Sequence, residues 1–71
     1  MAREATILKV NPYELHGVRW YQLFLNYADA PDSVQEVRLS HDAVYAAPAD
    51  GDRVTVENIL SLVTEVRKKQ D

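Results

Sequence analysis

The residue types of a nucleophile, a base and a carboxylate stand together in Arg38-Leu39-Ser40-His41-Asp42. A working triad needs the base between the other two groups and within hydrogen-bond reach of both. Consecutive residues project in divergent directions, so adjacency argues against such a relay. Ser40 is read instead as the N-cap of a short helix, with His41 and Asp42 solvated in its first turn. No catalytic residue is assigned, and the chain is read as a non-enzyme.

Metal and cofactor chemistry find equally little. His16 and His41 are far apart in sequence, and the chain has no cysteine to supply a thiolate. A zinc site would need both histidines to converge with Glu14 or Asp42, which the spacing does not suggest. With Gly17 and Gly51 as its two glycines, the chain has no glycine-rich nest of backbone donors for phosphate. No metal and no cofactor is expected.

The aromatic residues Tyr13, Trp20, Tyr21, Phe24, Tyr27 and Tyr45 carry more potential. On an exposed sheet face they would stack with unpaired bases, while Arg19 and Arg38 met phosphates. Against this, a small domain needs its aromatics for the core, and a net charge of -3 repels nucleic acid on average. The basic cluster Arg67, Lys68 and Lys69 reads as a solubilising terminus. Candidate contact residues on this reading are Arg19, Trp20, Tyr21 and Arg38.

The elements that must position these groups read as strands. Residues 5–10, ATILKV, are β-branched and apolar and stop at Asn11-Pro12, a turn-favouring pair. Gly17 opens GVRWYQLFLNY, where Tyr21, Leu23, Leu25 and Tyr27 form one apolar face while Val18, Trp20 and Phe24 supply the other. After the loop ADAPDS, Ser33 to Glu36 fits a capping box, yet Val37 and Leu39 alternate as in a half-buried strand. The strand is favoured, because the second strand lacks a hairpin partner. A helix of one or two turns is expected around residues 41–47, ended by Pro48. Asp50-Gly51 then marks a turn before the alternating Arg53-Val54-Thr55-Val56-Glu57.

Beyond Glu57 the period is contested. Val56, Ile59, Leu60, Val63 and Val66 sit at helical spacing, whereas Leu60, Leu62, Thr64 and Val66 alternate. As strands, this segment spares a small sheet a bare edge and leaves Ile59 and Val63 as apolar side chains on an outer face, seeking cover by a partner.

Length and composition bound the rest. At 71 residues with 46% hydrophobic and 27% charged content, the chain is one small globular domain rather than a disordered one. No apolar run approaches the roughly 18 residues of a membrane span, and the first four residues do not resemble a signal peptide. No membrane contact and a cytoplasmic location are expected.

Strand, strand, strand, short helix, strand, strand is the layout of OB-type barrels, and GDRVTVENILSLVTEV resembles the turn and strand ends of OB-like and SH3-like barrels generally. The expectation is an all-β, mainly antiparallel domain: a five-stranded OB-like or SH3-like barrel or a partly open sheet. The alternative is an α+β fold with a C-terminal helix over residues 57–69. The function expected is that of a protein-interaction module, with self-association as a homodimer among its routes and single-stranded nucleic-acid binding as the alternative. A circular dichroism spectrum should be strand-dominated; a helical fraction above about a third, the globular average, would sink the barrel.

Overall fold

The computed structural model describes residues 2–69. Its strands are β1 (Ala2–Leu15), β2 (Val18–Tyr27), β3 (Gln35–Ser40), β4 (Arg53–Ile59) and β5 (Leu62–Lys68), with a 3-10 turn at His41–Ala43. They form one antiparallel sheet in the order β3-β2-β1-β4-β5. The chain is all-β, and the C-terminal helix of the alternative reading is replaced by the end of β4 and all of β5.

β1 is longer than its sequence suggested, because it runs straight through Asn11-Pro12 to Leu15. Its first residues, 2–6, pair with β4, while residues 5–15 pair with β2. Past Asp50, which accepts the Val10 N–H at 2.9 Å, β1 extends beyond the reach of β4. Pro12 lies on the same side of the strand as Val10 by alternation, so its missing N–H removes no ladder bond. Leu15 and Val18 pair across the two-residue turn His16-Gly17. Positive φ at both turn residues, 53° and 77°, is the type I′ geometry that matches strand twist and that glycine supplies without strain.

Two bulges bend the sheet. In β1 the register slips between Ile7 and Lys9, leaving Leu8 as the extra residue. In β5 it slips opposite Glu57 and Asn58, leaving Thr64 extra. A bulge bends its strand and adds twist, and it also shifts which residues face inward. Ile7 is buried and Val10 packs on the core three residues later; Val66 is buried and Val63 packs on the core three residues earlier.

The inward face gathers Ala5, Ile7, Leu23, Leu25, Tyr27, Val44, Val54, Val56 and Val66 into one core. The expected face of β2 is there, with Tyr21 at its half-buried margin. Arg3 covers one end: its guanidinium stacks 3.8 Å above the Tyr27 ring and is held by Asp29 at 2.6 Å. Across the opposite edge, Val44 forms a parallel bridge to Val66, and the Tyr45 N–H donates to the Val66 carbonyl at 3.2 Å. The sheet therefore curls until β3's continuation meets β5, without closing.

The helix expected around residues 41–47 is a single 3-10 turn, and Ser40 does not cap it. The Ser40 hydroxyl donates to the Asp42 carboxylate instead. The backbone cannot stay helical here, because Val44 must return to extended geometry, φ -131° and ψ 145°, to reach β5.

Replacing Leu25, fully buried in the centre of the sheet, with alanine should cost about 2–5 kcal/mol. That is a large part of the roughly 4–10 kcal/mol expected of a domain this size. Leu8→Ala, at the exposed bulge, should change stability by less than about 0.5 kcal/mol. Urea unfolding of both variants checks the contrast.

Candidate interaction surfaces

The residues of the second strand separate by parity. Trp20 faces outward, between Tyr13 on β1 and Ser40 on β3, while Tyr21 turns inward between Pro12 and Leu39. Arg19 shares the face of Tyr21 but lies beyond the core, exposed and paired across the ribbon with Glu14. It borders an open depression with Tyr21, His41, Val44 and Tyr45. The contact set Arg19, Trp20 and Tyr21 is therefore divided between two faces of the sheet, and Tyr21 is partly spent on the core.

Arg38 is on the outer face with Trp20, where it joins a polar ladder running across three strands. Asn11 Nδ2 donates to Gln22 Oε1 at 3.1 Å, Gln22 Nε2 donates to Glu36, and Arg38 Nε donates to Glu36 Oε2 at 3.1 Å. The Gln22 amide and then the Arg38 guanidinium hold the Glu36 carboxyl below its ordinary range. The Tyr13–Trp20 pair lies on one side of this ladder, and Phe24, paired with Lys9 and Glu36, on the other. Further along the ribbon, Leu15 and Val18 pair on the same face and are 48% and 41% exposed. Tyr13 stood among the aromatics in the sequence, but Asn11, Gln22 and Glu36 were not marked as contacts, because their alignment depends on the His16-Gly17 turn and on β1 continuing through Pro12.

Ile59 and Val63 do not share an outer face as expected. The bulge at Thr64 turns Val63 inward against the core. Ile59 instead pairs with Leu62 across the turn Leu60-Ser61. Ile59 is 67%, Leu60 94% and Leu62 68% exposed, so three aliphatic side chains stand at the tip of the β4–β5 hairpin. Leu60 has φ 56°, a left-handed conformation that costs an ordinary residue about 1–2 kcal/mol. Glycine or asparagine is the usual occupant of such a turn position.

The segment joining β3 to β4 is organised by Asp52. Its carboxylate accepts the Tyr45 hydroxyl at 2.5 Å and the Ala49 N–H at 3.1 Å. The Tyr45 hydrogen bond, chiefly, holds the Asp52 carboxyl below the ordinary carboxylate range. Burial, followed by this same bond, pushes the Tyr45 phenol well above its usual value. Among the described residues, no three metal-ligating side chains come together and no helix is long and apolar enough to cross a membrane.

A carboxyl with a lowered folded pKa stabilises the fold above its unfolded value, about 4, and that contribution is lost as the pH falls through the folded value. Tyr45→Phe should lower the urea midpoint at neutral pH, with the gap to the unaltered chain narrowing in acid below about pH 4. A gap that stays constant with pH would show that the bond is not linked to the Asp52 charge. Comparison of the chain with protein-family models, curated proteins and solved structures finds no match.

Proposed function

We propose that the chain is a non-enzymatic interaction module that associates with a second copy of itself through the β4–β5 hairpin tip. The observation that carries this reading is the cluster of Ile59, Leu60 and Leu62, each at least two-thirds exposed. A leucine held at positive φ and 94% exposed gives up local stability and gains nothing from the core. Its display is consistent with a contact made outside the monomer.

The charge distribution favours a second copy as the occupant. Residues 58–64, NILSLVT, carry no charge in a chain of net charge -3. Two copies meeting there avoid the like-charge repulsion that other faces would bring. The three side chains expose on the order of 400 Å² per copy, the size of a monomer's largest functional patches. Two such patches together fall below the roughly 1,200 Å² of stable complexes, so the association belongs to the weak, transient class.

The strand order and the parallel approach of residue 44 to β5 agree with an OB-like layout. In that architecture the turns joining the first to the second strand and the fourth to the fifth flank the ligand face, which also favours the tip as a contact element. The non-enzymatic reading is supported by the bond of Ser40 to Asp42 rather than to His41. Single-stranded nucleic-acid binding, the second reading, keeps the outward Tyr13–Trp20 row. It loses Arg19 to the other face, and Arg38 is neutralised by Glu36.

Sedimentation equilibrium should show a dimer whose fraction grows toward about 1 mM protein, the range of weak contacts. Leu60→Gly should abolish that dimer while raising the monomer's urea midpoint, since glycine relieves the positive φ. Association that survives Leu60→Gly, or no association in the unaltered chain at that concentration, overturns the proposal.

A further inference from the structure

We infer that the second copy docks by adding its β3 to the free edge of this chain's β3, antiparallel, with the two-fold axis at Val37. This pairing rests on the self-association proposed for the β4–β5 tip and names the surface that meets the tip. The tip and the start of β3 already adjoin, since Leu60, Ser61 and Val63 line one depression with Gln35.

Which backbone groups of β3 are free follows from the register. Leu15 and Val18 close a two-residue turn, so they form a hydrogen-bonded pair, and such pairs alternate with non-bonded ones along an antiparallel ladder. Val18, Trp20, Gln22 and Phe24 therefore bond toward β1, and Tyr21, Leu23 and Leu25 toward β3. Their partners Leu39, Val37 and Gln35 use their N–H and C=O groups on β2. The groups of Glu36 and Arg38 point the other way, where β3 ends the sheet. Among the described residues no backbone group meets them, and backbone pairing with β5 begins only at Val44 and Tyr45.

This edge lacks the usual guards against strand addition. Residues 35–40 hold no proline, no lysine and no bulge, and the inward residues Gln35, Val37 and Leu39 carry no charge.

Charge fixes the occupant and the register. Only residues of the same parity can exchange bonds across the new edge. With Val37 opposite Val37, Glu36 faces the second copy's Arg38 and Arg38 faces its Glu36. The ion pair within each copy, 3.0 Å long, thereby joins its counterpart in a ring of alternating sign, and opposite charges across a strand pair are stabilising. A slip of two residues one way sets Glu36 opposite Glu36, and the other way Arg38 opposite Arg38, which like-charge repulsion disfavours. Val34, 57% exposed, then lies opposite Ser40. Gln35 lies opposite Leu39, which brings the second copy's Leu39 beside the tip. Lys9 stands on the outer face but two strands in from this edge, and enters none of these pairs. Asp32 and Asp42, which oppose each other past the ends, lie off the strand in a turn and in the 3-10 segment.

The test is sedimentation equilibrium at about 1 mM, where weak contacts populate, on the unaltered chain, Leu60→Gly, Arg38→Glu, Glu36→Arg and an equimolar mixture of the last two. Each charge variant alone sets like charges opposite one another twice and should associate at least about tenfold more weakly. Their mixture should recover the dimer, since acids then meet bases at both positions. In a sample with half the chains 13C-labelled, the Val37 Hα should show an NOE to the Val37 Hα of the other copy, the close approach of a non-hydrogen-bonded pair. That contact needs no variant, so it decides even where a substitution unfolds the chain. Edge pairing is overturned if both charge variants dimerise as the unaltered chain does, if their mixture stays monomeric, or if the dimer lacks the Val37 contact. A dimer lost in Leu60→Gly but kept in Arg38→Glu overturns edge pairing alone; the reverse overturns the tip contact alone, and no dimer in the unaltered chain overturns both.

Discussion

A single sheet has two faces, and among the described residues no second layer of structure covers either. The apolar side can leave water only if the sheet bends over itself. Everything else in the structure depends on that bend, and the bulge at Leu8 supplies much of it. Before the bulge β1 serves β4 and β2 together; after it, β1 and β2 continue as a ribbon beyond the core. The inward valines of β4 and β5 can then meet Leu23 and Leu25 on the far side of the same sheet. The second bulge, at Thr64, brings Val66 toward the Val44 bridge.

The same bulges explain what the sequence could and could not reveal. β2 has none, and its alternation of Tyr21, Leu23, Leu25 and Tyr27 was read correctly as a buried face. β4's Val54 and Val56 were equally plain. In β1 and β5 one extra residue changes inward spacing from two to three, so Ile7 with Val10, and Val63 with Val66, imitate the spacing of a helix face. The ambiguity after Glu57 was a bulged strand seen as a contest of periods. Pro12 misled for a related reason: it argues against a strand only where its missing N–H would be needed, and the open edge of β1 needs none.

Of the surfaces, sequence reasoning found residues but not their grouping. Trp20 and Arg38 do share a face, while Arg19, adjacent to Trp20, is on the opposite one because strand neighbours alternate. Ile59 was rightly marked as exposed, and Val63 wrongly, because the turn at Leu60-Ser61 and the bulge at Thr64 together set its parity. The left-handed conformation of Leu60 left no mark in composition, since glycine or asparagine is what announces such a turn.

How this fold could meet a partner is narrowed by how its edges are finished. A bare strand edge invites the addition of another strand. Here Asp50 occupies the Val10 N–H and Pro12 offers none, so the free half of β1 has lost the donors that alternation would place at those two positions. On β5 the Val66 carbonyl is taken by Tyr45, the ladder is broken at Thr64, and the exposed Glu65 and Arg67 add charge. Backbone-led pairing is thus hindered along these two stretches, and β3 is the other strand at an end of the sheet. Contacts led by side chains remain open: an uncharged aliphatic tip whose strained leucine contributes nothing to the core, and an outer face whose polar groups are already held in line. The curl that dries the core determines both, since it sets which residues each bulge turns outward.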